Sequence, residues 1–122
     1  MIGSLSGKVK FLFDESCILD VHGVGYKVFV DAQTRQGLTL DASAEFFIYT
    51  AVREDAITLY GMKERATFEL FELLLTASGI GAKSALAIVS KISNEEFARA
   101  VLTRLGLSSI MAADRRDLKW QY

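Results

Sequence analysis

The chain has 122 residues, 51% of them hydrophobic, which is enough for one compact domain or two small ones with a real core. Its 14 basic and 15 acidic residues give a formal net charge of −1, which argues against an overall polybasic protein. One cysteine and one histidine exclude an internal disulfide and a Cys/His zinc site, and a reducing, cytoplasmic location is the simplest inference.

Neither export nor a membrane partner is predicted. Met1–Ser4 lacks a basic region followed by an apolar stretch, so we expect no secretory signal. The apolar run Phe68–Leu75 is interrupted by Glu69 and Glu72, which is typical of an amphipathic segment rather than a membrane span.

Charge is distributed unevenly along the chain. Residues 1–62 carry 5 basic and 8 acidic residues, whereas residues 79–122 carry 7 and 4. An acidic N-terminal part and a basic C-terminal part indicate two surfaces with different electrostatic roles. Simple solvation of both parts would give the same pattern.

The first 62 residues have the pattern of short strands separated by turns. Four segments rich in β-branched and aromatic residues are predicted strands: Cys17–Val21, Tyr26–Val30, Glu45–Val52 and Ala56–Gly61. A turn is expected at His22–Gly25, and a connector with one helical turn at Gln33–Leu40. This succession favours a small antiparallel barrel.

At Met62 the hydrophobic period becomes helical. Phe68, Phe71, Leu74 and Leu75 recur at helical spacing, and Ser78–Gly79 is expected to end that helix. Two further helices are predicted, one over Ala82–Ile92 and one from the Ser93 cap to about Arg104. The predicted domains are a barrel with an acidic hairpin tip at 1–62, a helical domain with one helix–hairpin–helix motif at 63–106, and a divergent, poorly ordered tail at 107–122.

The segment between the first two predicted helices, the glycine turn Gly79–Gly81, is a candidate phosphate site. Gly79 and Gly81 permit an abrupt turn, and Ile80 can tuck inward between the helices. The N–H groups near the start of the next helix, at Ala82, Lys83 and Ser84, would be unpaired donors, and Lys83 adds a positive charge. Such contacts to the DNA backbone would be salt-sensitive and largely independent of sequence. The glycine pattern alone favours a plain packing corner instead.

Arg53, Glu54 and Asp55 lie at a predicted hairpin tip, and three interpretations of them remain open. The acidic tip, Glu54 and Asp55, could be a solvated turn, bind a metal or serve acid–base chemistry. Beside a DNA surface it could instead repel phosphates and exclude a continuous duplex. No nucleophile–base pair is recognisable, so we predict a protein that is not an enzyme and that has no cofactor and no metal.

Taken together and in order, several segments resemble the RuvA family, the Holliday junction-binding subunits of the bacterial branch-migration complex. The matching segments are Met1–Gly3 with Leu5 and Gly7, Asp20–Tyr26, Val52–Ala56, Leu59–Gly61, Phe68–Leu74 and Ser78–Ile88. The resemblance covers about residues 1–104, and the ordered set is highly specific although no single segment is.

The resemblance implies an α+β chain with an N-terminal oligonucleotide-binding-like antiparallel β-barrel and a small helix–hairpin–helix domain. It implies a non-catalytic subunit that binds four-way DNA junctions in recombination and repair, as a homotetramer or a face-to-face octamer. Glu54 and Asp55 would match the family's acidic pin, with Arg53 beside it, and the glycine turn with Lys83 would match its phosphate contacts. The implied protein partners are the RuvB motor, recruited through a separate C-terminal domain, and the RuvC resolvase.

The sequence departs from the family pattern in three places. Ala82 stands where the family usually has proline, and alanine is compatible with a helix start. After Leu107–Ile110 the glycines of a second hairpin are missing, and no motor-binding domain precedes the end at Tyr122. We therefore expect a truncated or frame-altered subunit with weakened DNA binding. A degenerate subunit that only oligomerises, and a metal-dependent nuclease using Glu54 and Asp55, remain as alternatives.

Overall fold

The structure is a computed structural model and describes residues 1–77 and 79–91. The chain divides into two compact units, Met1–Phe68 and a second that begins at Glu69. The third predicted helix and the predicted tail at 107–122 lie outside the described residues, as does Ser78.

Five strands and one short helix build the N-terminal unit. They are β1 (Ser4–Leu12), β2 (Ser16–Val21), β3 (Val24–Phe29), α1 (Ala32–Gln36), β4 (Ser43–Val52) and β5 (Ile57–Met62). The strands close into a barrel in the order β1-β2-β3-β5-β4, with β3 and β5 parallel and the other neighbours antiparallel. The predicted oligonucleotide-binding-like barrel is confirmed.

Alternate residues of the strands fill the barrel. Phe46, Ile48 and Thr50 on β4 are buried and the residues between them are less so, as the two-residue period of a strand requires. Cys17 and Leu19 on β2 are fully buried. Burial raises the pKa of the Cys17 thiol, and the positive charge of Arg35 opposes that shift without cancelling it. Cys17 is therefore packed in the core with a neutral thiol.

Strand β1 was not among the predicted strands, because a bulge interrupts its alternation. Its register with β2 shifts between Val9 and Phe11, so Lys10 is the extra residue. Val9 is buried, and after the bulge Leu12 packs against the core while Phe11 is left 54% exposed. Strand β1 closes the barrel by pairing with β4 through Ser4–Lys8 and with β2 through Lys8–Leu12. The bulge lies in the part that pairs with β2.

Gly61 marks a tight contact inside the barrel. A Cβ at this position would lie 2.5 Å from Cγ1 of Val28 and 3.2 Å from Cγ of Phe46. We expect Gly61→Ala to lower the free energy of unfolding by about 1 to 3 kcal/mol in a urea titration, because the buried neighbours must shift. Gly3→Ala is the control, since no described atom approaches a Cβ there within 4 Å. If Gly61→Ala and Gly3→Ala were equally stable, the close packing of Val28 and Phe46 around Gly61 would be contradicted.

The β2–β3 turn is shorter than the sequence pattern predicted. The β2–β3 turn is only His22–Gly23, both with positive φ (52° and 90°), and Asp20 Oδ1 accepts a 2.8 Å hydrogen bond from the Gly23 N–H. Helix α1 begins after Asp31, whose carboxylate accepts from the Thr34 N–H at 2.8 Å. The predicted connector therefore starts with a capped helix.

In the part of the chain that the structure describes, two helices follow the strands, α2 (Arg65–Leu75) and α3 (Ala82–Val89). Helix α2 starts later than the periodicity predicted, because Met62 still belongs to β5. It ends at Leu75, before the glycine turn. Just after its last residue, Thr76 Oγ1 donates a hydrogen bond to the Leu73 carbonyl at 2.6 Å. Helix α3 ends at Val89 with Ser90 as its C-cap, whereas the prediction extended it to Ile92, which lies outside the described residues. None of the described helices is long and apolar enough to cross a membrane.

Candidate nucleic-acid interface

The two glycines of the glycine turn have different conformations. Gly79 has a φ of +84°, in the left-handed region that side chains disfavour. Gly81 has a φ of −91° and a ψ of 173°, extended values that any residue adopts. The sequence pattern assigns both glycines to the bend. In the structure only Gly79 needs the conformational freedom of glycine, whereas the backbone angles of Gly81 are open to any residue.

Gly81 lies directly before the start of α3. Gly81 is the N-cap residue and makes no side-chain capping hydrogen bond, so the first helical N–H groups lack the usual partner. Its carbonyl accepts the first helical bond, from the Ala85 N–H at 2.9 Å. A Cβ at Gly81 would meet no described atom within 4 Å, and the residue is exposed. Among the described residues the space at Gly81 is therefore open, and a helix start of this kind favours an anion.

Helix α3 orients the rest of the predicted site. Its buried face consists of Ala85, Leu86 and Val89. Lys83 and Ser84 are on the exposed side, whereas Ile80 and Ala82 are half-buried. The predicted phosphate-site residues thus lie together on one turn and one helix start. The helix dipole and the Lys83 ammonium group both favour a negatively charged ligand there.

The acidic tip lies on the β4–β5 hairpin of the other unit. Arg53 and Ala56 bracket it, with the Arg53 N–H donating to the Ala56 carbonyl at 2.8 Å. Arg53, Glu54 and Asp55 are all exposed, so this end of the hairpin presents the two carboxylates of the acidic tip and the neighbouring Arg53 guanidinium group to solvent. Among residues 1–77 and 79–91, no group of three or more His, Cys, Asp or Glu side chains could hold a metal ion.

An apolar pair beneath the acidic tip could not be recognised from the sequence. Val52 and Ile57 face each other across the hairpin and are each 69% exposed. Both residue types are ordinary for strands, and in the sequence they are indistinguishable from core positions. Only the three-dimensional structure shows that they lie beyond the buried part of the barrel and are exposed to solvent.

A family model provides the decisive comparison. The model described as "RuvA N terminal domain" matches residues 1–61, the whole barrel up to Gly61. The chain belongs to the RuvA family. Its relatives include proteins named "Holliday junction branch migration complex subunit RuvA" from Bartonella tribocorum, 44% identical over 102 residues, and from Halothermothrix orenii, 44% identical over 103 residues.

These matches extend past the barrel into the helical region. They cover 83% and 84% of this chain but 50% and 53% of the two RuvA relatives. A RuvA protein of Trichlorobacter lovleyi is similar, with 43% identity over 101 residues and 50% of its length covered. The chain therefore spans about half the length of the curated relatives it matches.

Proposed function

We propose that this RuvA-family chain is a non-catalytic, DNA-binding subunit that selects four-way junctions. One observation carries the proposal: Gly81 precedes α3 without a side-chain cap, and a Cβ there would meet no atom of the described residues within 4 Å. The names of the relatives, as subunits of a Holliday junction branch migration complex, supply the DNA substrate.

In this proposal the glycine turn grips the DNA backbone. The N–H groups of residues 82–84 donate to a phosphate, and Lys83 contributes a charge-assisted contact. Gly81 is required because a side chain would stand between the phosphate and the helix start. Ile80 holds the turn against its own unit, while Gly79 supplies the bend.

The acidic tip supplies selectivity. Phosphates of a continuous duplex crossing the β4–β5 hairpin would meet Glu54 and Asp55 and be repelled. In a four-way junction the strands separate at the centre, which leaves room for an anionic projection. Arg53, directly before the carboxylates, would contact the phosphates at the edge of that opening.

The chain acts as one subunit of an assembly in this proposal. Several copies, a homotetramer or a paired octamer, would place one glycine turn on each arm of the junction, so that weak phosphate contacts add. Branch migration would need a separate motor, RuvB, and resolution of the junction a separate nuclease, RuvC.

Binding of a four-way junction, compared with duplex of equal length across a range of salt concentrations, tests the proposal. We expect tighter binding of the junction. The Lys83→Gln variant should show a shallower salt dependence, with a slope smaller by about 0.9 for each phosphate that Lys83 neutralises in the parent chain. Lys10→Gln, at an exposed lysine of the barrel, is the control and keeps the parent slope.

Equal affinities for junction and duplex would overturn the proposal. Native mass measurements that show oligomers with no measurable DNA binding would favour the alternative of a subunit that only assembles with other copies.

A further inference from the structure

The β4–β5 hairpin extends beyond the barrel that supports it. On the core-facing side of β4, Ile48 and Thr50 are 2% and 8% exposed, whereas Val52, two residues further, is 69% exposed. The same change occurs on β5, where Leu59 is 7% exposed and Ile57 is 69% exposed. Val52 and Ile57 therefore continue the inward-facing rows of the barrel into solvent.

Thr50 marks the last layer of the core. Its hydroxyl donates to the Ile2 carbonyl at 2.6 Å and accepts from the Ile2 N–H at 3.2 Å. The hairpin beyond Thr50 remains regular, because Ala51 pairs with Thr58 and Val52 with Ile57. The two aliphatic side chains thus form a small, ordered platform on one face of a two-stranded ribbon. We call Val52 and Ile57 the apolar platform.

The charges next to the platform restrict what can cover it. Glu54 and Asp55 follow directly in the same hairpin and are exposed, so an anionic surface is disfavoured there. If the partner is DNA, as in the proposed function, the part of it that covers the platform has to be apolar and uncharged although DNA is a polyanion. In DNA the flat faces of the bases meet both conditions, and proteins commonly place Ile, Leu, Met or Phe side chains against unstacked bases.

We propose that the apolar platform contacts the base-pair faces that a four-way junction exposes at its branch point. This inference rests on the proposed function, and it adds an attractive element to the repulsion exerted by the acidic tip. Between its two ends a continuous duplex offers no such faces, because each base pair is covered by its neighbours. Val52 and Ile57 are then specificity-determining residues, since they stabilise only the unstacked geometry.

The test combines a double variant with a reporter base. Val52→Thr with Ile57→Thr keeps the branched shape of both side chains and makes the platform polar. We expect about tenfold weaker binding of a four-way junction, with duplex binding unchanged, because polar side chains no longer favour the exposed base faces. 2-Aminopurine placed next to the branch point should also show a smaller change in fluorescence on binding than with the parent chain.

The matched control replaces two exposed aliphatic residues elsewhere on the barrel, Val24→Thr with Leu40→Thr, both 52% exposed. It should bind junctions like the parent chain. Parent-like junction affinity and 2-aminopurine signal in the Val52/Ile57 variant would overturn the inference while leaving the proposed function intact. A parent chain without junction preference would overturn the proposed function itself. A lower native mass of the Val52/Ile57 variant without DNA would assign the platform to contact between copies and would also overturn the inference.

Discussion

Gly81→Asn should bind a four-way junction about a hundredfold more weakly than the parent chain while folding slightly more stably. The two effects have one cause. Gly81 has the extended backbone of an N-cap residue, and an amide side chain there can accept hydrogen bonds from the first N–H groups of α3. Those are the donors that the proposal assigns to phosphate.

The stability gain should be small, roughly 0.3 kcal/mol, because glycine is already a tolerable N-cap. Urea unfolding followed by circular dichroism measures it, and fluorescence anisotropy with labelled junctions measures binding. Gly3→Asn is the control for adding an amide at an exposed, open glycine of the barrel, and it should change neither quantity. Parent-like junction binding by Gly81→Asn would mean that the glycine turn is only a packing corner.

Glu54→Gln combined with Asp55→Asn should raise duplex affinity about tenfold and so reduce the preference for junctions. Both substitutions keep side-chain size and remove only the charge, so the hairpin should retain its fold. The expected increase comes from removing the repulsion between the carboxylates and duplex phosphates. Competition of labelled duplex against unlabelled junction measures both affinities in one experiment.

Removing two negative charges from any protein strengthens DNA binding somewhat, and a matched variant separates this general effect. Asp41→Asn with Glu45→Gln changes the net charge equally at exposed positions near the other end of β4. Duplex affinity should rise less in this variant than in the tip variant. The same increase in both would remove the selective role assigned to Glu54 and Asp55.

Much of the fold could be predicted because local signals and barrel packing agree. Four of the strands follow runs of β-branched and aromatic residues, and Glu54 and Asp55 interrupt two such runs where the chain reverses. Strand β1 could not be found in the same way. Its bulge at Lys10 places Val9 inside and Phe11 outside, so the alternation that identifies a strand changes phase within nine residues.

The sequence predicted a candidate site, but it could not distinguish the parts of that site. Gly79 and Gly81 look equivalent in the chain, and only the backbone angles distinguish a conformational requirement from open access for a ligand. Val52 and Ile57 have the composition of buried strand residues, and their exposure depends on where the barrel ends. Such properties arise from tertiary geometry, which residue type and spacing do not encode locally.

The parallel contact between β3 and β5 has a consequence for motion. It comprises two residue pairs, Val28 with Leu59 and Phe29 with Tyr60, whereas β4 and β5 share six. Thermal opening of the barrel should therefore begin at the β3–β5 seam, where the fewest hydrogen bonds must break. The β4–β5 hairpin would then move as one unit that stays paired with β1. The acidic tip could change its orientation relative to β3 while the hairpin keeps its own hydrogen bonds.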